Sequence, residues 1–240
     1  MKDKHFLIVG GSHGIGFGIA KRLLAEGSSL TIVSRTRGQI DELDSQSNSR
    51  VNHLVADVNG KEFDSLLLPD QLDGMAYCPG SINLSPVRMT KPELLRSDFE
   101  LNVVGAVRVV QQALKALKSV DQGSIVMFST VAVSTGLAMH TSVAAAKGAL
   151  EGIARSWAAE FAPKIRVNCI APALTDTPLS ERLLSNDAKR DAMAKMYPLG
   201  RFGTIDDIAS MATFLLGDQS TWITGQVIGI DGGLSRVKVG

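Results

Sequence analysis

The sequence predicts a single α/β domain built as a doubly wound, mostly parallel seven-stranded sheet flanked by helices. Three observations carry this. Short apolar, β-rich runs alternate with stretches of helical spacing from the N-terminus onward, the signature of successive βαβ units. The runs are nearly continuous rather than strictly alternating in polarity, as expected for strands covered by helices on both faces. No Pro/Ser-rich linker, charge block, low-complexity tract or repeat of roughly 20–50 residues divides the 240 residues, so 1–240 reads as one domain.

The elements follow in order. His5–Val9 is the first strand, and Gly10-Gly11-Ser12-His13-Gly14-Ile15-Gly16 turns it into a helix over Ile15–Glu26. Ser29–Ser34 and Val51–Val55 are the second and third strands, and Gly74–Cys78 is the fourth. Leu94–Leu117 has helical spacing, with Glu93, Asp98 and Glu100 near its start explained by the helix dipole. Ser124–Ser129, a helix over Ser142–Phe161, Arg166–Ile170, a helix over Ile205–Leu216 and Gln226–Ile230 complete the alternation. Thr177–Arg201 breaks the pattern with polar, Met-containing helical sequence and reads as a substrate loop or lid over 177–201, or as a surface excursion.

Composition excludes several function classes. With 45% hydrophobic and 20% charged residues the chain has ordinary globular composition. Lys plus Arg is 25 against 24 for Asp plus Glu, a net charge of +1, which leaves no field to hold nucleic acid or an anionic membrane. Runs such as Phe6–Val9 and Ile125–Phe128 are far shorter than the ~20 residues that cross a bilayer, and the N-terminus does not resemble a signal peptide. Cys78 and Cys169 sit in strand-like runs and read as reduced thiols of a cytoplasmic protein. No Cys/His/carboxylate set has zinc spacing, and no Gly-x-Ser-x-Gly elbow is present.

The glycine-rich turn carries the chemistry. Between a first strand and a first helix it brings backbone N–H groups and a helix N-terminus up to a pyrophosphate. Its spacing is not that of the P-loop, and no Lys-Ser or Lys-Thr follows, which disfavours nucleoside triphosphate hydrolysis. The backbone of His13 matters more there than its ring. The second strand ends in Ser34-Arg35-Thr36-Arg37, where an NAD site usually has an acid that accepts from the ribose 2′-OH. Arginine suits a 2′-phosphate, so NADP(H) is preferred over NAD(H). Asp57-Val58 ends the third strand, placed to reach the adenine.

These residues, with Leu101–Gly105, Ala144-Ala145-Ala146-Lys147-Gly148, Val167–Pro172 and Trp222–Gln226 followed by Asp231-Gly232-Gly233, resemble the classical short-chain dehydrogenase/reductases over essentially the whole chain. They are especially similar to the 3-oxoacyl carrier-protein reductases. The resemblance implies a Rossmann fold and a nicotinamide cofactor held by Gly10, Ser12, His13, Gly14, Ile15, Gly16, Ser34, Arg35, Asp57, Val58, Gly80, Lys147, Pro172 and Thr177. It also implies pairing of subunits into a homotetramer or homodimer through Asn102–Leu117 and Ser142–Phe161.

The family uses Asn, Ser, Tyr and Lys in catalysis. By the resemblance Asn102 and Lys147 match, but four residues before Lys147 the tyrosine position holds Val143, which has no proton to give. The serine position, thirteen residues earlier, holds Thr130, with Ser129 adjacent. The usual Asn-Asn-Ala-Gly after the fourth strand is Tyr77-Cys78-Pro79-Gly80, the usual Thr before the glycines is Val9, and the Gly after Pro172 is Ala173. If the helix carrying Lys147 reaches one turn earlier, positions 140, 143 and 147 share a face. His140 is then a candidate general acid, or a helix cap, and Ser142 is a weaker candidate. The expectation is an NADP(H)-dependent reductase of a carbonyl or conjugated double bond in a small or acyl-type substrate, with Thr130 on the oxygen, Lys147 on the ribose, and His140 or an Asn102-ordered water as proton source. The alternative is a cofactor-binding homologue that has lost dehydrogenase chemistry and serves as a sensor, assembly partner or non-redox catalyst.

Overall fold

In the computed structural model, which describes residues 1–47 and 49–238, the seven strands form one sheet in the order β3-β2-β1-β4-β5-β6-β7. They are β1 (His5–Val9), β2 (Ser29–Ser34), β3 (Val51–Val55), β4 (Gly74–Tyr77), β5 (Gly123–Phe128), β6 (Ile165–Pro172) and β7 (Val227–Ile230). Every pairing is parallel. The strand order reverses between β1 and β4, so the loops leaving their carboxyl ends diverge and open a crevice there.

The apolar runs divide by alternate residues. Leu7 and Val9 of β1 join one buried cluster with Val109 and Leu150. Phe6 and Ile8 join a second with Ile19, Leu23 and Ile208. A strand's side chains alternate between faces, so an unbroken apolar run is what two covered faces demand.

The helices are α1 (Gly14–Ala25), α2 (Ile40–Ser47), α3 (Pro92–Phe99), α4 (Gly105–Lys118), α5 (Ala132–Thr135), α6 (Thr141–Phe161), α7 (Asp187–Ala194) and α8 (Ile205–Leu216). α8 has the expected boundaries because Thr204 and Asp207 form a reciprocal capping box at its start. It packs on α1 at Gly18, where a Cβ would lie 2.3 Å from Ile205 Cγ2.

Several boundaries depart from expectation. The fourth strand stops at Tyr77 rather than Cys78, the fifth runs Gly123–Phe128 rather than Ser124–Ser129, the sixth extends to Ile165–Pro172, and the seventh starts at Val227 rather than Gln226. The first helix begins at Gly14 and ends at Ala25, and the Lys147 helix begins at Thr141. The expected single helix over Leu94–Leu117 is α3 and α4 joined by a π-helical turn over Glu100–Val104. Tyr77 explains the turn's surroundings: its hydroxyl donates to Leu101 O at 2.6 Å, and a Cβ on Gly105 would sit 2.4 Å from that hydroxyl. No periodicity within Leu94–Leu117 reveals this contact from β4.

Candidate active site

Two contiguous chambers open at the carboxyl edge of the sheet, sharing Ile15, Cys78, Gly80, Thr177 and Leu179 in their walls. One, about 580 Å³, brings together Gly10, Ser12, His13, Gly14, Ile15, Gly16, Ser34, Arg35, Asp57, Val58, Gly80 and Thr177. The other, about 460 Å³, is lined by Thr130, His140, Val143, Lys147 and Pro172 among a largely aliphatic wall. Asn102 lines neither wall but approaches from behind Gly80.

One wall of the first chamber is the glycine-rich turn. Gly10 and Gly14 have φ of +78° and +57°, which L-residues rarely adopt. A Cβ on Gly16 would stand 2.3 Å from Gly10 O. The first turn of α1 contains no acidic residue, so its N-terminal amides remain available to an anion. The His13 ring, expected to matter less than its backbone, also has contacts of its own. It bonds Ser12 Oγ through Nδ1 at 3.0 Å, and a Cβ on Gly38 would meet its Cε1 at 2.3 Å. The ring therefore braces the loop after β2.

That loop separates its two arginines. Arg37 is consumed by Asp41 and Asp44, whereas Arg35 is exposed in the chamber wall and makes no ion pair among the described residues. Ser34 Oγ donates to Thr36 O at 2.9 Å and lies 2.8 Å from His53 Nε2, which shapes the loop. Asp57 accepts from Asn59 N at 3.0 Å, and Arg108 holds the turn through Val58 O and Gly60 O.

Lys147 lies in the interior turns of α6 with 7% exposure, and no salt bridge involving its ammonium occurs among the described residues. Burial lowers its pKa to about 8. A Cβ on Gly80 would be 3.2 Å from Lys147 Nζ and 3.6 Å from Asn102 Oδ1, so the two converge on one point. The π turn holds Asn102 there, with Nδ2 donating to Asp98 O at 2.7 Å and Oδ1 buried without a partner. An unpaired cation beside an orphaned acceptor, at the junction of two chambers, fits a hydroxylated ligand or an ordered water. With the glycine cradle, these residues fit a dinucleotide coenzyme.

Thr130 Oγ1 accepts from Ala132 N at 3.3 Å, and no acceptor for its own proton occurs among the described residues. Ser129 is spent, donating to Glu151 at 2.6 Å. His140 precedes the first residue of α6 without a side-chain capping hydrogen bond, and follows Met139 with φ +67°. That strained residue is held by Ser85 N donating to its carbonyl at 2.9 Å. His140 Nδ1 lies 2.7 Å from Ala138 O and must be the donor, which leaves Nε2 free. Val143 puts its hydrocarbon into the same wall.

Asp98 is not a helix N-terminal acid. It lies near the end of α3, 2% exposed, and its carboxylate accepts from Ser81 Oγ at 2.5 Å, Asn83 Nδ2 at 2.7 Å and Ser142 Oγ at 2.5 Å. This hub ties the loop after β4 to the start of α6 and commits the hydroxyl of Ser142, which is therefore no proton source. The signal was tertiary, since its three donors come from two other segments.

Segment 177–201 borders both chambers. It contains a short 3-10 turn (Pro178–Ser180) and α7, and Leu183, Met193, Met196 and Tyr197 line the second chamber. Arg190 anchors it, donating to Asp176 at 2.5 Å and lying 4.9 Å over the Phe202 ring. Among the described residues there is no cluster able to hold a metal ion and no helix long and apolar enough to cross a membrane. Both cysteines are unbridged, and burial pushes each thiol up to about 12.

Comparison with known proteins places this architecture. A family described as enoyl-(acyl carrier protein) reductase matches residues 9–235. The 3-oxoacyl-[acyl-carrier-protein] reductase FabG of Chlamydia muridarum is 31% identical, the match covering 97% of this chain and 98% of the relative. L-xylulose reductase of Bos taurus is likewise 31% identical, covering 97% of both. A solved structure of a variant of ElxO with NADPH bound superposes with a TM-score of 0.87 at 28% identity, covering 98% of this chain and 99% of that one.

Proposed function

The chain belongs to the short-chain dehydrogenase/reductase family, and on that premise we propose that it is an NADP(H)-dependent oxidoreductase. It reduces a carbonyl, or a conjugated double bond, of a small or acyl-type substrate, with a proton source other than tyrosine. The observation that carries the reading is the convergence of the lone Lys147 ammonium and the orphaned Asn102 oxygen at Gly80, between a glycine cradle and an aliphatic chamber.

When bound, the coenzyme supplies hydride. The protein supplies the rest. The Gly10–Gly16 amides hold the pyrophosphate, Arg35 meets the 2′-phosphate in the fork geometry that guanidinium offers, and Asp57 and Val58 border the adenine. Pro172 and Thr177 border the nicotinamide end. Lys147 holds the ribose, and its ammonium places positive charge where a carbonyl oxygen gains negative charge. Thr130 donates a hydrogen bond to that oxygen through its free hydroxyl and keeps its own proton. His140 Nε2, carrying a proton in the imidazolium form, or a water held by Asn102, completes the reduction. The segment 177–201 serves as the substrate lid. The reading includes a cytoplasmic, reduced setting for Cys78 and Cys169, and pairing of subunits through α4 and α6 as a homotetramer or homodimer, with no nucleic-acid or membrane partner.

Val143 and the Tyr77–Gly80 segment favour a second reading, a coenzyme-binding homologue without dehydrogenase activity. A panel of ketones, quinones and enones with NADPH separates the two: tight NADPH binding with no turnover above background sinks the first reading. Val143→Tyr should then confer ketone reduction on an otherwise assembled site, and its failure to do so would count against that assembly.

A further inference from the structure

The reading above leaves the substrate's body undefined, and the wall of the 460 Å³ chamber addresses it. Its size suits a drug-sized ligand. Most of its hydroxyls are spent on the protein itself. Ser81 donates to Asp98, Ser129 to Glu151, Thr175 to Ala173 O at 3.1 Å, and Ser180 to Thr175 O at 2.6 Å. Among the described residues no carboxylate lines the chamber, and its charged or titratable bases, Lys147 and His140, belong to the proposed reaction centre. What remains for a ligand's body is hydrocarbon, from Ile82, Leu84, Leu137, Leu183, Met193 and Met196.

Outside the proposed reaction centre, the Tyr197 hydroxyl in this wall keeps an unpaired proton among the described residues. Tyr197 Oη accepts from Leu174 N at 3.2 Å, and among the described residues its own proton has no acceptor. The side chain is buried, which raises its pKa and keeps it protonated. The chain's other tyrosine, Tyr77, gives its proton to Leu101 O. We propose that the chamber binds an uncharged, apolar-bodied carbonyl compound carrying a second hydrogen-bond acceptor, and that Tyr197 is the donor that selects for that acceptor. A polyol or sugar is rejected, because its hydroxyls would leave water for a wall that offers them few partners.

This inference rests on the reductase reading for the carbonyl end, so its test is made first by calorimetry without coenzyme. The probes are alkan-2-ones of increasing length, the same ketones carrying a distal methyl ester, and L-xylulose. Affinity should rise about fourfold per added methylene until the chamber is full, and L-xylulose should give no heat. Tyr197→Phe should weaken the ester-bearing ketones about fivefold, the loss of one hydrogen bond, and leave the plain ketones unchanged. Leu183→Asp should flatten the chain-length dependence while NADPH binding persists, which keeps the test open should Tyr197→Phe not fold. Flat chain-length dependence in the unaltered protein, tighter binding of the sugar, or an equal effect of Tyr197→Phe on both ketone series would overturn the proposal. Failure of NADPH to bind or of any ketone to turn over would instead sink the reductase reading and leave the chamber result standing.

Discussion

Replacing Lys147 by Met should stabilise the coenzyme-free protein. The buried ammonium has a pKa of about 8 against an ordinary 10.5. At 1.36 kcal/mol per unit, that difference amounts to about 3 kcal/mol of native-state destabilisation at pH 7. The sign follows from proton uptake: between pH 8 and 10.5 the unfolded chain binds more protons than the folded one, so wild-type stability rises with pH across that window. Methionine keeps the unbranched apolar stem and removes the charge. The variant should therefore exceed wild type by about 3 kcal/mol at pH 7, about 2 at pH 9 and less than about 1 at pH 10. For a chain of this size that is a shift of about 6–12 °C in Tm at pH 7. NADPH at about 1,000 times its Kd should reverse the order, since it adds about 4.1 kcal/mol to a protein that binds it, and the variant lacks the ribose partner. Paired melts across pH 7–10, with and without NADPH, provide the measurement. A coenzyme-free variant less stable than wild type at pH 7, or a gap that does not close as pH rises, refutes the assignment of an unpaired buried ammonium.

Three further outcomes are expected. Arg35→Ala should raise the Kd for NADPH by about 10- to 100-fold, the loss of a charge-assisted hydrogen bond, with NADH unaffected, whereas Arg37→Ala should change neither because Asp41 and Asp44 already hold it; titration calorimetry compares them. His140→Gln should lower turnover at least about tenfold without altering NADPH affinity, and an unchanged kcat would remove His140 from the reaction. Asp98→Ala strands three donors, Ser142 among them buried, and should destabilise the protein by about 2–4 kcal/mol; it should also lower the pKa of Lys147 further, because the Asp98 charge now raises it, and NMR titration of the lysine reads that effect independently of folding.

Local chemistry made much of this protein legible from its residues. The five inner strands could be read because their apolar runs bury both faces, whereas edge strands β3 and β7 stay partly exposed, and the Thr204 cap marks α8 within the chain's own neighbourhood. The Gly10–Gly16 cradle is visible because only glycine tolerates its dihedral angles and close approaches. That position 143 is a valine, with no proton to give, is likewise plain in the sequence. Tertiary structure decided what depends on residues far apart in the chain. It interrupted the Leu94–Leu117 helix with a π turn whose Leu101 carbonyl accepts from Tyr77, made Asp98 a buried hub for Ser81, Asn83 and Ser142, and spent Arg37 while leaving Arg35 without an ion pair among the described residues. It also brought Tyr197 to the chamber of Thr130 and Lys147. Backbone preference and burial period are properties of neighbouring residues and leave a trace in order and spacing. Whether a hydroxyl, a guanidinium or a carboxylate is free depends on which partner the folded chain sets beside it, and that pairing leaves no such trace.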